Sequence, residues 1–348
     1  MSKVAYIDHS YHEKTKSTDF IPEILVSHGH EVDRFWDSSW NGGDAVEFND
    51  VEHYDAIVLF QLPPQWPGAL HKLHPNITFI PMLDGLGYTR ERQLGGVSYW
   101  SKFANIKILN FSKTVHYVCN AFGLESRYFQ YFQPPQSRLP AQRQGLHGFF
   151  WARREDQISV DTILALIGDT KFDSLHIHLA PDPGAPIPEA PSREICQKFT
   201  ITTSNWFEKK EDFEAVLGRA NVFFAPRLEE GIGQAMLEAF SRGQCVVAPD
   251  CGTMNEYIMH DANGLLYRYD KPTPLDFSKA VELGSAGHTL ATKGFSHWKS
   301  CEQDLVQFIL TPCENFYRIK TPSMIKECLK SIPFILHTVR NAKSLFTF

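Results

Sequence analysis

No apolar run in this chain approaches the ~20 residues needed to cross a bilayer, and its first residues, MSKVAYIDHS, lack the charged start, apolar stretch and small-residue cleavage site of a signal peptide. A soluble, cytoplasmic protein is expected. A basic surplus is also missing: the formal charge is −6 with a pI near 6.2, so nucleic acid is a poor partner. The seven cysteines are odd in number and scattered, with no CxxC pair and no His/Cys cluster at zinc-ligand spacing. They read as reduced thiols. Internal repeats and long low-complexity tracts are absent too.

What remains is an ordinary globular composition, 43% hydrophobic and 21% charged, in a chain of 348 residues, more than one core usually organises. Strand-like runs at Lys3 to Asp8, Glu31 to Trp36, Ala56 to Gln61, Ile77 to Leu83 and Ile106 to Asn110 alternate with helical or turn segments, as in a mostly parallel sheet covered on both faces. QPPQSRLPAQRQG, from Gln133 to Gly145, reads as a connection between domains. A second series follows: strands at Gly148 to Ala152, Leu175 to Leu179, Phe199 to Thr202, Val222 to Ala225 and Val246 to Ala248, with helices near Asp161 to Ile167, Glu211 to Arg219 and Gln234 to Arg242. The expected division is an N-terminal α/β domain over 1–140, a second over 141–312, and a basic, apolar tail over 313–348.

The segment from Asn221 to Tyr267 carries the chemistry. Its loop Glu230-Gly231-Ile232-Gly233 ends a buried strand and opens a helix, where two glycines allow close backbone approach and free N–H groups favour an anion such as a diphosphate. Glu238, with seven residues between it and Glu230, lies about one turn into that helix and can accept hydrogen bonds from vicinal hydroxyls such as those of a ribose.

The EGIGQAMLEAF run, with PR before it and NEYI and NGLLY after it, resembles the E-x7-E signature of retaining GT-B enzymes in glycosyltransferase family 4. The resemblance implies two Rossmann-like domains facing each other across a cleft, the first on the acceptor side and the second binding a nucleotide sugar. It implies a hexosyltransferase-type enzyme that moves a sugar from a nucleotide diphosphate to a glycan or lipid-linked glycan, as in surface polysaccharide assembly. The donor is a substrate, and no cofactor is implied. No metal is implied either, and the chain has no Asp-x-Asp motif.

Carried over by position, Glu238 would hold the ribose and Glu230 the donor sugar. Backbone amides of Gly231, Ile232 and Gly233 would face sugar or phosphate, Arg153 would sit on the diphosphate, and Asn255 and Glu256 would face the cleft. The lysine expected after Arg153 is Ile158 here, so Arg154 or Arg227 supplies the second positive charge or the donor is held more weakly. In PMLDGLGY, Leu83 stands where the family often has a histidine, while Asp84 is retained. No residue is assigned as a carboxylate nucleophile, and the route the resemblance implies is front-face substitution in which the leaving phosphate helps deprotonate the incoming hydroxyl.

Blander readings stand beside these. Asp84 and Glu256 suit helix or turn caps, Arg153 and Arg154 a solvated strand end, and His116, His176 and His178 structural histidines. The stretch Ser296 to Leu310 reads as a helix returning across the domain junction; the rest of the tail reads either as more of the same or as a peripheral membrane contact. A GT-B-shaped isomerase or phosphorylase, and a non-catalytic nucleotide- or glycan-binding protein, are the competing functions.

Overall fold

A computed structural model describes residues 1–86, 94–136 and 144–313. The tail from 314 onward, residues 137–143 of the connecting stretch, and the end of PMLDGLGY therefore lie outside the described residues.

Two six-stranded sheets organise the chain, and every described pairing in them is parallel. The first contains β1 (Lys3–His9), β2 (Glu31–Asp37), β3 (Ala56–Phe60), β4 (Ile77–Ile80), β5 (Lys107–Asn110) and β6 (Ser126–Tyr128), in the order β2-β1-β3-β4-β5-β6. The second contains β7 (His147–Trp151), β8 (Ser174–His178), β9 (Ile201–Ser204), β10 (Val222–Phe224), β11 (Cys245–Pro249) and β12 (Leu265–Tyr267), in the order β12-β11-β10-β7-β8-β9. Strands β3, β4, β5, β10 and β11 are buried along their whole length. That explains their near-continuous apolar runs, since a parallel sheet has no wet face.

Several boundaries differ from expectation, among them the strand placed at Phe199 to Thr202, which runs over Ile201–Ser204 because Phe199 closes the helix before it. The run ITFIPML is strand only to Ile80, because Pro81 cannot donate to the ladder, and Leu83–Leu86 turns into a 3-10 helix. β6 and β12 have three residues each and close one edge of each sheet. They are too short to show a period in sequence.

The helices that matter below are α1 (Tyr11–Thr15), α2 (Phe20–Ser27), α3 (Lys113–Ala121), α4 (Val160–Ile167), α5 (Gln234–Ser241), α6 (Met254–Tyr257) and α7 (Ala280–Leu310). α4 starts where Ser159 accepts the Thr162 N–H, an ordinary N-cap. None of the described helices is long and apolar enough to cross a membrane.

α7 ties the two domains together. Its first half lies on α5 and β11 of the second sheet, and its last turns reach α2 and β3 of the first. One apolar cluster consequently runs from Val4, Ile21 and Val58 through Trp298, Leu305 and Phe308 to Phe240 and Val246. Trp298 meets Tyr131 edge-on at 5.1 Å. Where α7 ends, its unpaired carbonyls are capped from the first sheet. The buried Lys107 ammonium lies 2.6–2.7 Å from Asn76 Oδ1 and from the carbonyls of Phe308, Ile309 and Thr311. Burial pulls this lysine down to about 7, with Cys313 opposing, but the ring of oxygens favours the ammonium that donates to them. We therefore read Lys107 as charged in the folded protein.

Candidate active site

Strand order decides where the site lies. In open parallel sheets ligands collect beyond the carboxyl ends of the strands, at the point where the winding direction reverses. In the first sheet that point lies between β1 and β3; in the second it lies between β7 and β10. The loops leaving these strand ends meet one another.

Five charged side chains converge there. From the second domain come Arg153 after β7, Asp182 after β8, and Arg227 and Glu230 after β10; Asp84 enters from the first domain after β4. Arg153 points both Nε and Nη2 at Asp182 Oδ1, at 2.8 and 2.7 Å. Arg227 Nη1 lies 3.4 Å from Asp84 Oδ2 and 3.7 Å from Glu230 Oε2, and its Nε lies 4.0 Å from Asp182 Oδ2. Three carboxylates thus face two guanidinium groups.

Burial dominates their electrostatics. Burial raises the Glu230 carboxyl above the ordinary glutamate value, against the pull of Arg227 and Arg153. Burial raises Asp84 likewise, with Arg227 opposing. Arg227 loses hydration, yet Glu230, Asp84 and Asp182 together hold it further into its charged form. Asp84 Oδ1 and Arg227 Nε are buried without a hydrogen-bond partner among the described residues. Such groups call for a polar ligand or water.

The glycine loop works differently from the expectation that both glycines simply open room for a ligand. A Cβ on Gly231 would sit 2.4 Å from Met82 Sδ of the first domain. Gly231 is small because the domains touch there. Gly233 has φ +79° and forms the N-cap of α5, a left-handed turn that a residue with a Cβ rarely adopts. Ile232 is buried between them.

Other anticipated residues stand apart from the charged cluster. Arg154 is turned to Asp156 in a two-pronged pair, so Arg227 is the second cation beside Glu230. Glu238 is 43% exposed and pairs with Arg242 one turn along α5, at 3.3 Å. Asn255 donates to Asp250. Glu256 is occupied at the domain junction: it accepts from Ser112 Oγ and from the Lys113 and Thr114 backbone N–H groups, at 2.8, 2.7 and 3.1 Å. It therefore caps α3 of the first domain while completing the capping box of α6.

Three features were not anticipated. Asp182 sits in the proline-rich PDPGAPIP stretch and shows no spacing to the other charges in sequence. At the ends of β7 to β9, Arg153 lies over the Trp151 ring at 4.7 Å, Trp151 meets Trp206 edge-on at 5.8 Å, and Trp206 is 60% exposed. Beside them His178, pushed down to about 4 by burial, stacks on Phe207. The third is a pair at the end of β1, the buried Asp8 and the half-buried His12. His176 and His178 hydrogen-bond Ser204, as structural histidines do.

Comparison with known proteins adds to this geometry. Residues 157–282 match the family described as glycosyl transferases group 1. Among curated proteins no sequence matches the chain. Among solved structures, sucrose-phosphate synthase from Thermosynechococcus elongatus is similar over 88% of this chain and 98% of its own, at 15% identity and a TM-score of 0.63. The apo lipopolysaccharide outer core galactosyltransferase WaaB is similar over 88% and 99%, at 14% identity and a TM-score of 0.56. Anabaena HepE in complex with UDP and glucose is similar over 88% and 99%, at 12% identity and a TM-score of 0.56. The chain therefore has the GT-B architecture, two parallel α/β domains with their strand ends facing each other.

Proposed function

From the premise of a GT-B frame carrying a group 1 glycosyl transferase segment, we propose that this protein transfers a sugar from a nucleotide diphosphate sugar to a glycan or lipid-linked glycan, with retention at the anomeric carbon. The observation that carries the proposal is the meeting of Asp84, Arg153, Arg227 and Glu230 between the two reversal points.

In this reading Arg153 and Arg227 take the diphosphate. Departure of a diphosphate builds negative charge on its bridging oxygen, and two fixed guanidinium groups stabilise it without reorganising. In the arrangement described here both arginines are engaged by Asp182 and Asp84, so the donor displaces an internal anion as it binds. Glu230 meets the sugar, Asp84 approaches it from the opposite domain, and the amides of Gly231, Ile232 and Gly233 complete the anion site at the start of α5. Glu238, accessible on α5, takes the ribose. The exposed Trp206 beside Trp151 offers the base an aromatic face on the same edge as Arg153. With no carboxylate assigned as a nucleophile, front-face substitution is the proposed route, and the charge at the leaving group is handled by arginine instead of a metal. Membership of family 4 and a place in surface polysaccharide assembly belong to the same proposal, as does work in the cytoplasm or at the inner face of a membrane.

Neighbouring structures lend support through their ligands: HepE holds UDP with glucose, and TarM, similar at a TM-score of 0.51, holds UDP with α-GlcNAc-glycerol. UDP is accordingly the first nucleotide to try. A thermal-shift series with UDP, GDP, dTDP, ADP and CMP should show stabilisation by one base, because a ligand specific to the folded state raises its apparent stability. No shift with any of them would end the proposal. NMR of the product then reads the anomeric outcome, and an inverted centre would exclude retention.

A further inference from the structure

We propose that His12 is the first domain's contact to a sugar hydroxyl in the cleft, accepting a hydrogen bond from it at Nε2, and that Asp8 is the positioning residue that fixes its ring. The inference rests on the transferase reading above.

Asp8 ends the buried part of β1 and is 1% exposed. Its Oδ1 accepts the His9 backbone N–H at 2.7 Å and lies 2.8 Å from His12 Nδ1; its Oδ2 accepts the Thr18 hydroxyl. The His9 N–H can only donate and the Thr18 hydroxyl donates to the other oxygen, so the carboxylate acts as an acceptor toward both. His12 Nδ1 must then carry the proton that it shares with Asp8. In a neutral imidazole the lone pair is left on Nε2, the acceptor that a sugar O–H requires. Nε2 has no partner among the described residues.

The ring is held as firmly as its tautomer. His9 stacks on it at 5.0 Å and Phe60, the last residue of β3, meets it edge-on at 5.9 Å. His12 therefore lies between the ends of β1 and β3, the reversal point of the first sheet. One contact places that point against the start of α5: Gln234, its first residue, donates its side-chain amide to the Ser17 carbonyl just beyond α1. Outward from His9, Trp40 stacks at 4.3 Å and is 43% exposed, so the aromatic ladder opens to solvent on the first domain's side.

The test uses His12→Phe, which keeps an aromatic ring but cannot accept a proton, His12→Gln, whose amide oxygen can, and Asp8→Asn, whose amide can donate to Nδ1 and so move the ring proton to Nε2. Each is compared with the wild type for binding of UDP and UDP-glucose, or the nucleotide and glucose ester of whichever base stabilises the protein, and for turnover with and without acceptor. We expect nucleoside diphosphate binding to stay intact in all three, which also reports folding. Transfer should fall about 10²-fold in His12→Phe and Asp8→Asn, the low end of what a positioned acid–base group contributes, with partial rescue in His12→Gln.

If the hydroxyl belongs to the donor sugar, His12→Phe also loses affinity for the sugar nucleotide relative to the free diphosphate and slows acceptor-free hydrolysis. If it belongs to the acceptor, hydrolysis is kept and the loss appears in acceptor kcat and KM. Equal transfer by His12→Phe and wild type, with nucleotide binding preserved in both, would overturn the inference and leave the transferase reading standing. Absence of nucleotide binding in the wild type would remove both.

Discussion

The two edges that face each other across the cleft are built in opposite styles. On the second domain Arg227, Glu230 and the glycine turn that opens α5 lie in one strand, loop and helix start, so that their spacing along the chain is also their spacing in space, and Arg153 and Asp182 join them from two neighbouring strand ends. On the first domain Asp8, His12 and Asp84 come from two strand ends more than seventy residues apart and meet only when β1, β3 and β4 pair. A helix start is a local device that a short motif can encode. A cleft wall assembled from several strand ends is not.

The contrast makes its strongest prediction at Arg227. If the second edge holds the leaving diphosphate, Arg227→Ala should lower kcat by about 10²–10³-fold, the cost of losing one group that stabilises transition-state charge. Arg153→Ala should behave similarly, whereas Arg154→Ala, whose partner is Asp156, should leave transfer nearly intact. Steady-state kinetics with the preferred donor decides, and a severe defect in Arg154→Ala would break the distinction.

Glu256 tests whether the junction between the edges is fixed. Its carboxylate is the acceptor for the N-terminal end of α3, and Glu256→Ala leaves those N–H groups without it. We expect about 1–3 kcal/mol of lost stability, measured by urea unfolding, together with a larger radius of gyration in solution scattering. An unchanged radius would show that α7 alone holds the domains.

Asp182 sharpens the comparison on the donor side. Because it engages the same guanidinium groups as an incoming diphosphate, Asp182→Asn should tighten nucleoside diphosphate binding by about tenfold, or 1.4 kcal/mol. Titration calorimetry at two salt concentrations would check this, and weaker binding would mean that Asp182 orients Arg153 instead of competing for it.

The smallest effect is a pH dependence. Burial raises Glu230 above its ordinary value of 4.5, so the folded state keeps that proton over a range in which the unfolded chain has lost it. Stability from this group is complete below the unfolded value and is lost as pH rises through the folded one. Glu230→Gln should therefore raise the Tm of the ligand-free protein at pH 7 by about 2–4 °C, with the gain fading as the pH falls toward 4.5. A gain that is the same at both ends would assign it to packing.

Much of the second domain was legible before folding. β10, α5 and β11 lie where the buried runs and the glycine loop put them, and Glu230 and Arg227 meet as neighbours in sequence can. The same local view could not supply the partners of Gly231 and Glu256: Gly231 is packed against Met82, and Glu256, for which a helix cap was one of two readings, caps α3, because in both cases the partner arrives from the other domain. Asp182 was invisible for a similar reason, since its loop has no period and its arginine lies 29 residues earlier.

By itself the amino-acid order determined the alternation of buried strands and helices, the division into two α/β halves, and the acidic pair around a glycine turn. These rest on burial, periodicity and backbone freedom, which act over a few residues. Only the tertiary structure decided which charges face each other, that His12 stands with Asp8 beside the cleft, and that α7 spans both cores. Those outcomes depend on strand order and on long-range contacts, and strand order leaves no trace in the local pattern of residues.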